Sequence, residues 1–196
     1  TYYWAAMKRG ANVNIGTYTG DGTDNRNITG VGFQPNWVIT MGDGDEDFFR
    51  PALLTGDASF NMGGSKEKKN RIQAILADGF QIGSDDNVNA PGLQFYWIAF
   101  NATPKVVAAS YTGDGVPGRN IAGLGMGPGL VWVKAASKEI ATWRLDVVPG
   151  DSSLYWDNSN PTSNRVTSLF YGGFQVGSHK EVNRSGWTYY YLGLAP

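Results

Sequence analysis

The chain has 196 residues, 41% of them hydrophobic and 17% charged, with 17 acidic side chains against 16 basic ones and a net charge of −1. That balance excludes an electrostatic footprint for nucleic acid or anionic lipid, and the absence of cysteine removes disulfides, thiolate metal sites and cysteine nucleophiles. The longest apolar runs, such as Leu130 to Val133, are strand-sized and well short of the roughly 20 residues that a membrane-crossing helix needs, so no membrane insertion is expected.

Taken in order, the chain opens on an aromatic heptad, Thr1-Tyr2-Tyr3-Trp4-Ala5-Ala6-Met7, which reads as a strand. Further extended candidates follow at Val13 to Thr19, Trp37 to Thr40, Arg50 to Thr55, Ser59 to Met62, Phe80 to Ile82 and Leu93 to Phe100. All are short and rich in Val, Ile, Tyr, Trp and Phe, with Gly, Asp, Asn or Pro between them. One stretch, Lys66 to Ala77, is helix-like in its apolar spacing. Its counterpart, Ser163 to Tyr171, reads as a strand, which favours a strand preceded by a polar loop.

From Tyr111 onward the chain repeats itself. A shift of 93 residues lays Tyr18-Thr-Gly-Asp-Gly22 on Tyr111-Thr-Gly-Asp-Gly115, and 12 of the 23 positions from Tyr18 to Thr40 are identical in Tyr111 to Val133. After one inserted residue the match resumes, with Gly79-Phe-Gln-Ile-Gly-Ser84 on Gly173-Phe-Gln-Val-Gly-Ser178. A repeat of this size is an autonomous sandwich rather than a solenoid unit. The expected fold is all-β: two tandem antiparallel β-sandwich, jelly-roll-like repeats over residues 11–102 and 103–196, preceded by an extra N-terminal strand and linker over residues 1–10. The extra strand arises because the opening heptad occurs three times: it recurs as Gln94 to Phe100 and closes the chain as Thr188 to Leu194. Trp4 falls on Trp97 at the same 93-residue shift. The opening at Thr1, without Met or an apolar leader, suits an exported or virion protein or a segment of something longer.

The chemistry-bearing residues are few. Asp43, Asp45 and Asp47 have the alternating acidic spacing of a calcium loop, but Phe48 and Leu54 stand where an EF-hand would place Gly and Glu. They are a weak candidate cation site, and no cofactor is expected. His179 is the only histidine, and no nucleophile elbow, phosphate loop or zinc-protease motif occurs, so no catalytic residues are assigned and no enzyme activity is expected. Arg26 and Arg119 are taken as the basic residues common to both repeats, each tying down its turn through Asp21 or Asp114. Trp4, Trp37, Trp97 and Trp132 sit in apolar runs and are assigned to the core. Trp143, Trp156 and Trp187, set among polar residues, are the candidates for a ligand-facing surface of the kind that stacks on sugars.

The string Tyr-Thr-Gly-Asp-Gly, then Arg-Asn-Ile, Gly-Phe-Gln-x-Gly-Ser and Val-Asn, with an aromatic closing strand, resembles a repeat domain of phage tail-fibre and other virion-associated proteins. Related repeats occur in large bacterial surface proteins. Trp143-Arg-Leu-Asp146 keeps approximately the Trp-x-Leu-Phe-Asp segment of that family, whereas Phe49-Arg-Pro-Ala52 departs from it. The resemblance implies a β-sandwich in an extracellular or virion structural setting, with no catalytic residues to carry over. The expected function is a structural subunit whose partners are copies of itself, joined by donation of Thr1 to Met7. The alternative is a module that binds a cell-surface glycan or receptor.

Overall fold

The computed structural model describes residues 3–42, 46–156 and 159–196. The first repeat contains β1 (Val13–Thr19), β2 (Arg26–Thr29), β3 (Trp37–Gly42), β4 (Phe48–Pro51), β5 (Phe60–Asn61), β6 (Ile72–Leu76), β7 (Gly79–Ile82), a one-turn helix α1 (Asp86–Asn89) and β8 (Gln94–Phe100). The second contains β9 (Val106–Thr112), β10 (Arg119–Ala122), β11 (Leu130–Ala135), β12 (Thr142–Leu145), β13 (Leu154–Tyr155), β14 (Val166–Phe170), β15 (Gly173–Val176), α2 (Lys180–Asn183) and β16 (Thr188–Leu194). The helix-like stretch resolves as expected, into a loop followed by β6.

Each repeat folds into a large and a small antiparallel sheet. Strand order is β1-β8-β3-β4-β5 with β2-β7-β6 in the first repeat, and β9-β16-β11-β12-β13 with β10-β15-β14 in the second. The all-β expectation therefore holds. In each repeat the closing strand is central to the large sheet: β8 lies between β1 and β3, and β16 between β9 and β11. The turns follow their sequences, since Gly22 and Gly115 of the two Asp-Gly pairs take φ of 73° and 78°, a region costly for any residue with a Cβ.

Strand alternation explains how the layers stack. In β3 and β8, Val38, Phe95, Trp97 and Ala99 point toward the small sheet and form a core with Phe80 and Ile82. The intervening residues Trp37, Ile39 and Phe100 point the other way, yet they are buried too. They meet Leu130, Trp132, Trp143 and Leu192 of the second repeat, so the two large sheets pack face to face over a shared core. Trp132 is its pivot, with ring centroids 5.5 Å from Trp37 and 4.6 Å from Phe49. The layer order is small, large, large, small, and the repeats are not independent beads.

The shared core is built from the same patch of each repeat. Trp37, Ile39, Phe49, Phe60 and Phe100 correspond through the duplication to Leu130, Trp132, Trp143, Leu154 and Leu194, and all of these pack in it. A patch meeting its own counterpart is an isologous contact, the type that closes rather than propagates. The foot of each large sheet repeats as well. Asn101 N–H donates to Asn12 O at 2.9 Å, and its counterpart Ala195 N–H donates to Lys105 O at 2.9 Å. The turns entering β1 and β9 match in the same way, as isolated bridges Gly10 to Val13 and Thr103 to Val106.

The expected N-terminal strand is corrected in one respect. Thr1 and Tyr2 lie outside the described residues, and Tyr3 to Arg9 belong to no strand. A strand is defined by its neighbours, and among the described residues none pairs with this segment.

Candidate functional site

The N-terminal segment lies at the foot of the shared core. Tyr3 and Met7 pack against that core while Trp4, Ala5 and Ala6 are exposed, Trp4 to 79%. The assignment of Trp4 to the core is thereby overturned: Trp97 is covered by the sandwich built over it, whereas among the described residues no second sheet covers Trp4. Residues 4–8 and 10–13 line a cavity of about 600 Å³ together with Phe100, Leu130, Leu145 and Leu194 to Pro196. The segment thus runs beside the end of β16, in the second repeat.

The tryptophans divide differently from the expectation. Trp37, Trp97 and Trp132 are buried as expected. Trp143, a candidate for the ligand-facing surface, is buried, because it lies on the inward-alternating face of β12 and donates its Nε1–H to Tyr155 O at 3.0 Å. Trp156 stacks on it with centroids 5.0 Å apart and remains 41% exposed. Trp187 is half-buried under the Arg184 guanidinium, which lies 4.6 Å from its ring and occupies one face of the indole. With Trp143 buried, the three do not all face solvent.

Asp43 and Asp45 lie outside the described residues. Asp47 is half-buried, and burial raises its carboxyl above the usual range. No cluster of acidic or histidine side chains suited to a metal ion occurs among the described residues.

The most regular polar assembly is duplicated. The Arg26 guanidinium pairs with Asp21 at 3.3 Å, lies 5.5 Å over the Tyr18 ring, and donates to Thr19 O at 2.6 Å and Asn89 Oδ1 at 3.1 Å. Arg119 pairs with Asp114 at 3.3 Å and lies 5.6 Å over Tyr111. Buried Asn89 and Asn183 each accept the backbone N–H of the turn aspartate at 3.0 Å. The hydroxyls of Tyr18 and Tyr111 donate to Val88 O and Val182 O, both at 2.6 Å. Thr23 hydrogen bonds hold the Asp21 carboxyl below its usual range, and the Val116 N–H does the same for Asp114. These groups fasten the Asp-Gly turn to the helix after β7 or β15, the tying role expected for both arginines.

Arg26 and Arg119 are not the only shared basic residues. Arg50 and Arg144, one on β4 and one on β12, are buried and donate to the loop that follows: Arg50 to Leu54 O at 2.7 Å, Gly56 O at 2.8 Å and Ala58 O, and Arg144 to Val148 O at 2.7 Å, Gly150 O at 2.8 Å and Ser152 O. Arg71 pairs with Asp85 at 2.8 Å and its counterpart Arg165 with Glu181 at 2.7 Å. His179 takes the place of Asp85 as helix N-cap, its Nδ1 accepting from Glu181 N–H at 3.3 Å, which requires a neutral ring.

One buried cation joins the repeats. Lys134, fully buried on β11, donates to Ser65 O of the first repeat at 3.1 Å and to Ser137 O and Glu139 O of its own at 2.8 and 2.6 Å. Burial pushes its pKa down to about 8, against the opposing fields of Glu139 and Glu67.

No family model, no curated protein and no solved structure matches this chain.

Proposed function

We propose that the chain is a non-catalytic structural subunit of an extracellular fibre, filament or virion appendage, whose copies join end to end through the N-terminal segment. The observation that carries this reading is the state of Tyr3 to Met7. It repeats the aromatic pattern of two strands central to their sheets, yet lies outside every sheet with Trp4 79% exposed. An unpaired segment of that composition gains backbone hydrogen bonds and apolar burial by joining the sheet of another copy. Two further features support it. The outer faces of the two large sheets are consumed by the closed contact between repeats, so the foot of the molecule is among the surfaces left for contacts between copies. The charged side chains common to both repeats are engaged in holding turns and loops.

The test is negative-stain microscopy of the purified chain beside a variant lacking residues 1–7. Elongated particles from the intact chain and discrete ones from the variant are expected; elongated particles from both would overturn the reading. A second reading, a glycan-binding module, is favoured by one observation, the exposed Trp156 ring stacked on Trp143. It predicts binding on a glycan array that Trp156→Ala abolishes.

A further inference from the structure

We infer that residues 1–7 are a spare copy of β16, able to occupy the slot that β16 holds between β9 and β11. The slot thus accepts either end of the chain, and whichever strand loses projects from the foot of the molecule. This deepens the assembly reading by naming the slot and register that the N-terminal segment fits.

The geometry follows from the isologous pairing of the repeats. Residues 101–105 carry the chain from β8, in the first large sheet, to β9, in the sheet packed against it. The approach to β1 is built like the approach to β9: the bridge Gly10 to Val13 matches Thr103 to Val106, and the bond from Asn101 to Asn12 matches that from Ala195 to Lys105. A linker with the same relation to its following strand must come from the equivalent place, a closing strand in the opposite large sheet. For β1 that opposite sheet is the second repeat's, and its closing strand is β16. The segment already lies on that side, because residues 4–8 line the cavity that Leu194 to Pro196 also line.

The sequence fits the slot position by position. The repeat register lays Thr1-Tyr2-Tyr3-Trp4-Ala5-Ala6-Met7 on Thr188-Tyr189-Tyr190-Tyr191-Leu192-Gly193-Leu194, preserving Thr and both following tyrosines. Trp4 would stand where the first repeat buries Trp97, and Ala6 where it buries Ala99. A Cβ at Gly193 would come within 2.9 Å of Leu124 Cδ2 and 3.4 Å of Met126 Cε, both ends of flexible side chains that can give way. Two positions are poor. Ala5 leaves unfilled the space that Leu192 occupies in the shared core, and Trp4 would face Ala109 where the first repeat sets Gly16 against Trp97, a place in which a Cβ crowds the indole ring. These deficits account for β16 holding the slot in the structure.

The test uses the full chain. Leu192→Asp places a charge in the shared core and weakens β16 as an occupant, while Trp4→Asp disables the spare strand; Trp4 is exposed, so W4D alone should leave the melting temperature within about 2 °C. If the spare strand rescues the slot, the double variant melts about 10 °C below the sum of the two single effects; additive effects would overturn the inference. Should L192D fail to fold, Leu192→Ala equalises the two strands at the Ala5 position, Ala109→Gly in the same chain restores the space that Gly16 gives Trp97, and a disulfide reads the exchange. Leu192 faces Ala108 across the ladder, so Ala5→Cys with Ala108→Cys in the L192A chain should crosslink on oxidation. The same cysteine pair beside an intact Leu192 should not. A folded L192A chain with no crosslink contradicts the exchange. A crosslinked monomer that forms no large particles keeps the slot and removes the assembly reading, and large particles without the crosslink do the reverse.

Discussion

The ammonium of Lys134 in the second repeat donates to the carbonyl of Ser65 in the first, 3.1 Å away, under a sheet face that both repeats bury. The counterpart of Lys134 is Met41, so the cation is an addition to one side of an otherwise matched contact. Lys134→Ala should cost about 1–3 kcal/mol in denaturant titration, because it strands the carbonyls of Ser65, Ser137 and Glu139. The pH dependence has a definite sign. Folded Lys134 releases its proton near pH 8 and the unfolded side chain near 10.5, so between these values the unfolded state binds more protons and stability rises with pH. Lys134→Met should flatten the profile in that window.

Above pH 10 the tyrosines reverse the trend. Tyr189 is buried, donates its hydroxyl to Lys180 O at 2.7 Å and accepts from Arg184 N–H at 2.7 Å, and burial raises its pKa to about 12. The unfolded phenol ionises near 10, so the stability it confers is complete below pH 10 and lost as pH rises through about 12. Alkaline titration followed by far-ultraviolet circular dichroism should show unfolding in that range. Tyr189→Phe, which copies Phe95 of the first repeat, should cost about 1–2 kcal/mol at pH 7 and reduce the alkaline slope.

On the acid side His179 sets the slope in the second repeat. Burial is the main cause holding its pKa below the usual value, and its role as N-cap acceptor needs the neutral ring. Its contribution is present above about pH 6.5 and lost as pH falls through its depressed folded pKa. His179→Asn keeps a capping acceptor without the titration, and thermal melts between pH 5 and 7 should converge for the variant while the parent falls.

Because Trp132 touches Trp37 and Phe49 across the repeats, the two halves should unfold together. Trp132→Ala should cost about 3–5 kcal/mol. Calorimetry of the parent should give one transition with matching calorimetric and van't Hoff enthalpies; two separable transitions would contradict a shared core.

Much of this was legible in the sequence. Most strand positions followed from short apolar runs between turn residues, and β1 falls at Val13–Thr19 as read, but β4 lies at Phe48–Pro51 rather than at Arg50 to Thr55, and the polar β2 was not read as a strand. The duplication announced two matched sandwiches, and the Arg26–Asp21 pair followed from proximity to the Asp-Gly turn. What escaped was non-local. Trp143 has polar neighbours in sequence, but Thr142 and Arg144 are themselves buried on the other face of β12, so local polarity misreports its environment. Trp4 was assigned to the core by the apolar run it sits in, yet burial depends on the sheet built over a residue rather than on its sequence neighbours. Arg50 and Arg144 were missed because the register changes from 93 to 94 in the loop before β4, and at the larger shift the two coincide. Helices α1 and α2, at four residues each, are too short to show a period. The apolar runs of β3 and β11 did carry the signal for the contact between repeats, since strands apolar on both faces are strands buried on both.

The proposed assembly rests on Thr1 to Met7 being a spare closing strand whose place in its own molecule is held by β16. Sedimentation velocity over a hundredfold range of concentration, comparing the intact chain with Trp4→Asp, addresses it most directly. The intact chain should shift to larger species as concentration rises while W4D stays a monomer with the same melting temperature. Identical sedimentation of the two chains would contradict the claim.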